Sequence, residues 1–589
     1  MRTPTLEQPQ TQSVQHPTHP KGGNARVLLT SVFGPYAQDD EYGSRLINPM
    51  ELYHNQVTRT QGAFSLRIFH RSWGIMMIQC NIGALCNLLD FPTLERFESE
   101  ISRNHYDVVG ISSILVNIGK VQKMCELVRK HLPEAQIVIG GHIANLGDLK
   151  LRTGADHVVR GEGVDWFRRY LGEDPDQPYR HPVVDTPINL RSMGINVANK
   201  PGNTAVTLIP SVGCPMGCNF CSTSAMFGGK GQSRVFYETG DELYEVIRKL
   251  EAESGARSFF VMDENFLLNR SRALRLLELM EANHKPWSFY VFSSANVLKH
   301  YSMSELVRLG ISWVWLGLEG RDSQYNKLRG TDTLAMVREF QQHGIRVLGS
   351  SIIGLEDHTP ENIDQAIDYA VSHATDFHQF MLYTPLPGTP LHAQLGSEGR
   401  ILPESEVGLP EIHGQHRFNY KHPHIRDGQE TAMLLRAFRR DFEVNGPSLM
   451  RIVRTTLNGW LKYQDHPDAR VRERFRWESQ ELASTWAAAT AGALRYYSGD
   501  APMRDKLKAL LRDLYRTFGL KARLMGMLGG PWVHHKLKAE HRSMLSGDTR
   551  EPPTFFETNR DQPDVLHRGP QPSRCRYVEP TGMLAAAGV

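Results

Sequence analysis

Ser211-Val-Gly-Cys214-Pro-Met-Gly-Cys218-Asn-Phe-Cys221 is the stretch whose reading decides the fold. Its three cysteines, at C-x3-C-x2-C spacing, follow an apolar run, Ala205 to Pro210, that reads as a strand. Gly213, Pro215 and Gly217 favour a tight wrap over a continuing helix, so three thiolates can point at one centre. Three thiolates complete neither a four-cysteine zinc site nor the coordination of a four-iron cluster. The second case is chemically useful, because one iron stays open to an outside ligand. Zinc would need a fourth ligand at the usual spacing, and no His or Cys follows Cys221 before His284. A disulfide reading leaves an odd thiol, and nothing in the chain suggests an oxidising compartment.

The loop resembles that of the radical S-adenosylmethionine (SAM) enzymes, whose signature is C-x3-C-x-aromatic-C, with Phe220 in the aromatic position. The resemblance implies a 4Fe-4S cluster on Cys214, Cys218 and Cys221. Its open iron would be chelated by the amino and carboxylate groups of SAM. One electron, from a flavodoxin- or ferredoxin-type donor, then cleaves SAM to a 5′-deoxyadenosyl radical.

A length of 589 residues suggests two to four domains, and a net charge of +3 with 40% hydrophobic residues fits a soluble globular enzyme. No run of eighteen apolar residues appears, so no spanning helix is expected. Residues 1–23 are polar and read as a disordered tail rather than a signal peptide. Seven cysteines, three of them in one loop, point to a reducing cytoplasm.

Residues 24–171 alternate strands and helices. Ala25 to Phe33, Tyr106 to Ser112, Ala135 to Gly140 and Asp156 to Arg160 read as strands, and Ile75 to Ile82 is a further apolar run. Helices are expected over Thr93 to Asn104, after an Asp90-Phe-Pro-Thr93 start signal, and along Val121, Met124, Cys125 and Val128. This alternation argues a doubly wound parallel sheet, whose ligands sit at the carboxyl ends of strands. Those ends read Ser112-Ser113, Gly140-Gly141-His142 and Gly161-Glu162-Gly163, and paired glycines let a large planar or phosphate-bearing ligand approach the backbone. A G-x-G-x-x-G is absent, which argues against a nicotinamide site. A ligand-free structural domain of Rossmann type is the plain alternative. The succession VVGIS…IVIGGH…ADHVVRGEG looks like the cobalamin-binding domain preceding many radical SAM cores. The D-x-H-x-x-G motif is missing, so the resemblance implies cobalamin without a lower histidine from that motif. Residues 172–203, rich in Pro and Asp, read as a linker.

Residues 204–398 give six strand–helix units, which suits a partial (β/α)6 barrel open on one side, with polar residues at the strand ends. Asp263 and Glu264 could simply cap the next helix, and Glu319 ends an otherwise apolar strand, where a carboxylate is expensive unless paired. Matched to the family, Asp263 and Glu264 would meet the amino group of SAM. Glu319, in GLEGRDS, would lie beside SAM, and Gly349 to Gly354 would flank its adenine. Thr384 to Pro390 looks like the segment that closes such cores.

Residues 399–549 read as a helical domain, with helices over Thr431 to Val444, Leu449 to Tyr463 and Val471 to Tyr497. Arg495 to Leu545 holds eleven Lys/Arg against four Asp/Glu, net +7, interleaved with Leu, Met and Trp532. A solvated basic face is the plain reading. An interfacial helix pair on anionic lipid is the sharper one, placing the protein peripherally on the inner face of the membrane. No nucleic-acid-binding module appears. Residues 550–589, with Cys575, are Pro-rich and expected to be disordered.

The expected protein is therefore a cobalamin-dependent radical SAM enzyme, with the hopanoid methylases as one example of the architecture. It would methylate an unactivated carbon of a small molecule or of a lipid or isoprenoid chain. A cyclase, an oxidation or C–C bond formation without methyl transfer is the first alternative, and a non-catalytic cobalamin or cluster sensor the second.

Overall fold

An unbroken apolar run must be covered on both faces, and Arg26–Thr30 (β1) accordingly lies inside a sheet, with Val27, Leu28 and Leu29 buried. The structure, a computed structural model, describes residues 16–34, 41–44, 46–47, 51–197, 204–320, 331–548, 550–561 and 567–579. Leu85–Asp90 (β2) and Val108–Ser112 (β3) flank β1 in parallel. Gln136–Gly140 (β4) pairs with β3, and His157–Val158 (β5) with β4. In this register Ser112 stands opposite Gly140, so two of the polar strand ends are neighbours.

The second sheet begins with an antiparallel edge, Asp185–Thr186 (β6), beside Ala205–Leu208 (β7). Then come Ser258–Val261 (β8), Ser288–Ser293 (β9), Ile311–Glu319 (β10), Arg346–Ile353 (β11) and Phe377–Leu382 (β12), each parallel to the one before. Six parallel strands with helices outside form the expected open barrel. Its base is filled by rings, Phe260 to Tyr290 at 4.9 Å, Tyr290 to Trp313 at 5.5 Å and Trp313 to Phe377 at 5.5 Å. Edge-on and stacked aromatic side chains pack that end, and the cleft described below opens at the carboxyl ends of the strands.

Several expectations are corrected. The run Ile75 to Ile82 lies mostly in a helix, α1 (Trp73–Asn81), whose Ile75, Met76, Met77 and Cys80 are all buried. A helix covered on nearly every side carries no amphipathic stripe to reveal it. The strand beside β1 is β2, a stretch given no element from sequence. The segment after 550 is not loose where it is described. Phe555–Thr558 (β13) pairs antiparallel with β2, and Ser573–Arg574 (β14) extends that edge. Cys575 is buried there. The exposed edge of β2 offers unpaired backbone groups, and Arg71, stacked 3.8 Å from the centre of the Phe555 ring, seats the added strand. At the other terminus the His19 N–H donates to the Tyr170 carbonyl and Lys21 pairs with Asp107, while residues 1–15 lie outside the described residues. The stretch read as a linker contributes β6 to the barrel sheet. Val471 to Tyr497 is two helices, Ala469–Glu478 and Ala487–Tyr496 (α2), and the basic region is one long element, Ala501–Leu545 (α3), broken at Gly519.

The barrel carries a buried neutral histidine whose consequence is measurable. His378 hydrogen-bonds Ser351 and Thr375 and stacks 4.2 Å from Phe380. Burial lowers its pKa to about 3, with Arg451 and His373 acting in the same direction and Asp441 opposing. A folded-state pKa below that of the unfolded chain leaves stability intact above about pH 6.5 and removes it as pH falls. Unfolding free energy should therefore fall as pH drops from about 6.5 toward about 3, by up to roughly 1.4 kcal/mol per pH unit from this residue. His378→Gln should reduce that slope by up to about 1.4 kcal/mol per pH unit, leaving the share of other buried histidines such as His70 and His181. An unchanged slope would remove His378 as its source.

Candidate functional site

The cysteine loop is shaped by its glycines. Gly213 has φ +85°, and a Cβ there would come within 2.6 Å of the Phe227 ring. Gly217 has φ +72°, and its Cβ would meet Lys230 at 2.5 Å. Neither position tolerates a side chain, so the chain wraps tightly at both. The Ser224 hydroxyl donates to the Cys214 carbonyl at 3.1 Å, and Cys221 precedes a one-turn helix, Ser222–Met226. Burial pushes the Cys214 thiol up to about 12 and raises Cys221 as well. Thiolates in such surroundings need a cationic partner, which iron supplies. Among the described residues no three His, Cys, Asp or Glu side chains gather as they would on a single metal ion. A four-iron cluster asks for something else, one thiolate on each of three separate irons.

The strand ends of the two sheets meet in one cleft of about 390 Å³. From the first sheet come Ser112, Ser113, Gly140, Gly141, His142, Gly161, Glu162 and Gly163. From the barrel come Gly213, Thr223, Asp263 and Glu264. Ser and Gly at three adjacent strand ends leave backbone open to a broad planar ligand, and a Cβ at Gly140 would meet nothing closer than the Val159 carbonyl at 4.0 Å. These residues fit cobalamin. Gly141 serves differently from its expected role. Its φ is +83°, and a Cβ would lie 2.5 Å from the Ser113 carbonyl, so its lack of a side chain serves the strand-to-strand approach. Gly163 likewise makes room for Ile78, whose Cδ1 would be 2.7 Å away. Glu162 caps the helix Gly163–Tyr170, accepting from the Asp165 N–H at 2.8 Å and from the Val164 N–H. Burial nonetheless pushes its carboxyl up to about 7.

The two acids at the end of β8 divide their work. Asp263 pairs with Arg272 at 2.8 Å and accepts from the Asn265 N–H, and these contacts fix its side chain in place. Glu264 faces the cleft. Although Glu264 stays open to solvent in the cleft, the protein packed around it pushes its carboxyl up to about 7, the Asp263 charge adds to this, and Thr223 opposes it. A ligand amine meeting Glu264 would restore the charged form. Glu319 is buried at a bulge ending β10 with φ +49°, a backbone state rare outside glycine, but it does not line this cleft. Residues 321–323 of the motif that contains it lie outside the described residues. Phe220 packs edge-on to Tyr383 at 6.3 Å. Gly354 (φ +77°) is apart from the cleft, and a Cβ there would strike Phe418 at 2.3 Å, so that ring explains the glycine.

Direct contacts tie the first domain to the cysteine loop. His142 Nδ1 lies 3.2 Å from the Ser222 hydroxyl, the Asn145 amide donates to the Ser222 carbonyl at 2.9 Å, and Arg160 donates to the Ala225 carbonyl at 3.2 Å. The residues after Cys221 are therefore set by the loops that end β4 and β5. Sequence reasoning missed Asn145, Arg160 and Thr223, and also Trp73, Ile75 and Met77, which line the cleft from α1. Only the last group left a signal, an apolar run assigned to no element.

Comparison with known proteins adds the following. Residues 208–370 match the radical SAM superfamily and residues 73–171 the B12 binding domain. An uncharacterized methyltransferase of Pyrococcus horikoshii is 24% identical over 317 residues, 48% of this chain and 68% of that protein. The hopanoid C-2 methylase of Rhodopseudomonas palustris is 26% identical over 353 residues, 56% of this chain and 66% of that protein. Among solved structures, TsrM, a radical SAM methyltransferase from Kitasatospora setae with cobalamin and a 4Fe-4S cluster bound, has a TM-score of 0.49 at 14% identity. The match covers 77% of this chain and 99% of that one.

Proposed function

We infer that this chain, which belongs to the radical SAM enzymes carrying a B12-binding domain, transfers a methyl group to an unactivated carbon of an apolar substrate. One observation carries the reading. The strand ends suited to cobalamin and the segments flanking the cysteine loop line the same cleft. When bound, the 4Fe-4S cluster and SAM supply a radical that removes hydrogen from carbon, and methylcobalamin supplies the methyl group. Cys214, Cys218 and Cys221 hold the cluster, and Glu264 with Thr223 receives the SAM amine. The strand ends at Ser112, Gly140 and Gly161 seat the macrocycle. Trp73, Ile75, Met77, Ile78, Met262 and Phe292 line the remainder and keep water from a reactive centre. This apolar lining favours a lipid or isoprenoid chain, and the relative named for a hopanoid supports that class. The electron comes from a flavodoxin- or ferredoxin-type donor.

The test is an anaerobic incubation of reconstituted enzyme with reductant, a membrane-lipid extract and SAM carrying a trideuterated methyl group. The expected result is 5′-deoxyadenosine together with a lipid that has gained the labelled methyl. 5′-Deoxyadenosine formed alongside an altered but unlabelled lipid would replace methylation by cyclisation or oxidation. Bound cofactors with no SAM cleavage under any condition would leave a sensor.

A further inference from the structure

The long element α3 carries an apolar face that none of the described residues covers. Gly519, with φ 60° and ψ −135°, breaks it, and the two halves fold back on each other closely enough that a Cβ at Gly526 would sit 2.0 Å from the Tyr515 hydroxyl. The first half buries Leu507, Leu510, Leu511 and Leu514. The second half is fixed by small residues. A Cβ at Gly529 would lie 2.7 Å from Ala488 Cβ on α2, and one at Gly530 would lie 3.0 Å from Ala491 Cβ. This close seat settles which way the helix faces. Leu520, Leu524, Leu528 and Trp532, each one turn from the next, are then 78%, 50%, 69% and 51% exposed, with Met527 beside them at 58%. A run of large exposed apolar side chains along one helix marks a contact surface rather than scattered surface leucines.

The charge around this face names the partner. From Leu514 to Ala539 there is no Asp or Glu, while Arg516, Lys521, Arg523, Lys536 and Lys538 are all present. Lys536 Nζ lies 5.6 Å from the centre of the Trp532 ring, at the border of the apolar stripe. On α3 itself the apolar side chains are framed by cations with no anion among them, and Glu481, near Lys521, is the acid from the neighbouring segment; the excess of positive charge matches a layer of acyl chains beneath anionic headgroups. Among the described residues no helix is long and apolar enough to cross a membrane, so the contact is one made from the side.

We propose that the face Leu520–Leu524–Leu528–Trp532 docks on the surface of an anionic lipid bilayer. The docking goes beyond the methyl-transfer reading and does not depend on it, since vesicle binding requires no turnover. The test uses the full-length reconstituted protein, sedimented with vesicles of phosphatidylcholine alone or mixed with phosphatidylglycerol, at low and high salt. Binding is expected to the mixed vesicles at low salt and to fade as salt rises. Because all three side chains are exposed, the Leu524→Ser/Leu528→Ser/Trp532→Ser variant should fold normally, and it should lose binding about tenfold or more. Lys521→Glu/Arg523→Glu should do likewise with the apolar face intact. SAM cleavage without vesicles should be unchanged in both, which separates this proposal from the enzymatic reading. Full-length protein that ignores mixed vesicles at low salt would overturn the proposal. So would the apolar variant if it bound as well as the parent. A concentration-dependent dimer abolished by that variant, with no vesicle binding, would assign the face to a second copy of the chain and also overturn it.

Discussion

Alanine at Cys214, Cys218 and Cys221 together is expected to remove all bound iron and to abolish SAM cleavage while leaving a folded protein. The loop owes its shape to backbone rather than sulfur. Gly213 and Gly217 set its two tight points, the Ser224 hydroxyl holds the Cys214 carbonyl, and the Gly231 N–H donates to the Pro215 carbonyl at 2.8 Å. None of these bonds uses a thiol, so unfolding of the iron-free triple variant should stay within about 1 kcal/mol of the iron-free parent. Function should respond very differently. Without three thiolates there is no cluster to accept an electron or hold SAM, and 5′-deoxyadenosine formation should fall by at least about a thousandfold, some 4 kcal/mol in barrier. Iron and labile sulfide analysis after anaerobic reconstitution reads the first effect, and product formation the second. Four irons retained in the triple variant would sink the assignment.

Gly140→Val is expected to remove cobalamin while sparing the cluster. Gly140 ends β4 opposite Ser112, lines the cleft, and has room around its would-be Cβ, so valine folds and projects its methyls where the macrocycle belongs. Filling a snug contact costs about 1–3 kcal/mol, so uptake should weaken by about tenfold to a hundredfold. Cobalamin absorbance after desalting measures it, with iron content as the internal control. Gly141→Val is the instructive contrast. That residue has φ +83° and its Cβ would collide with Ser113 backbone, so the substitution should destabilise the domain and lose cobalamin for an uninformative reason. Full cobalamin uptake by Gly140→Val would place the macrocycle elsewhere.

The legibility of this chain differs from element to element for physical reasons. Cysteine spacing, glycine positions and apolar runs act through neighbours a few residues away. The wrapped loop, the six barrel strands and the polar strand ends were therefore open to reading from sequence. The helix α1 was not, because burial on nearly all sides erases the periodicity that distinguishes helix from strand. The strand β13 was hidden as well, since its partner β2 lies more than four hundred residues earlier and local composition around it is that of a tail. Asp263 and Glu264 are adjacent, chemically alike and both line the cleft, yet Arg272 pairs with Asp263 alone. Gly141 read as room for a ligand and Gly354 as the end of a segment flanking the adenine, while a side chain at either would meet Ser113 backbone or the Phe418 ring.

Local spacing and composition made legible a candidate donor set in the cysteine loop, the two α/β units and the basic, apolar character of residues 495–545. That the two sets of strand ends share one cleft, and that Leu520, Leu524, Leu528 and Trp532 are exposed, follows from long-range packing. Side-chain spacing fixes which residues share a face, but which surface that face meets depends on close packing between segments far apart in the chain, here Gly529 and Gly530 against Ala488 and Ala491.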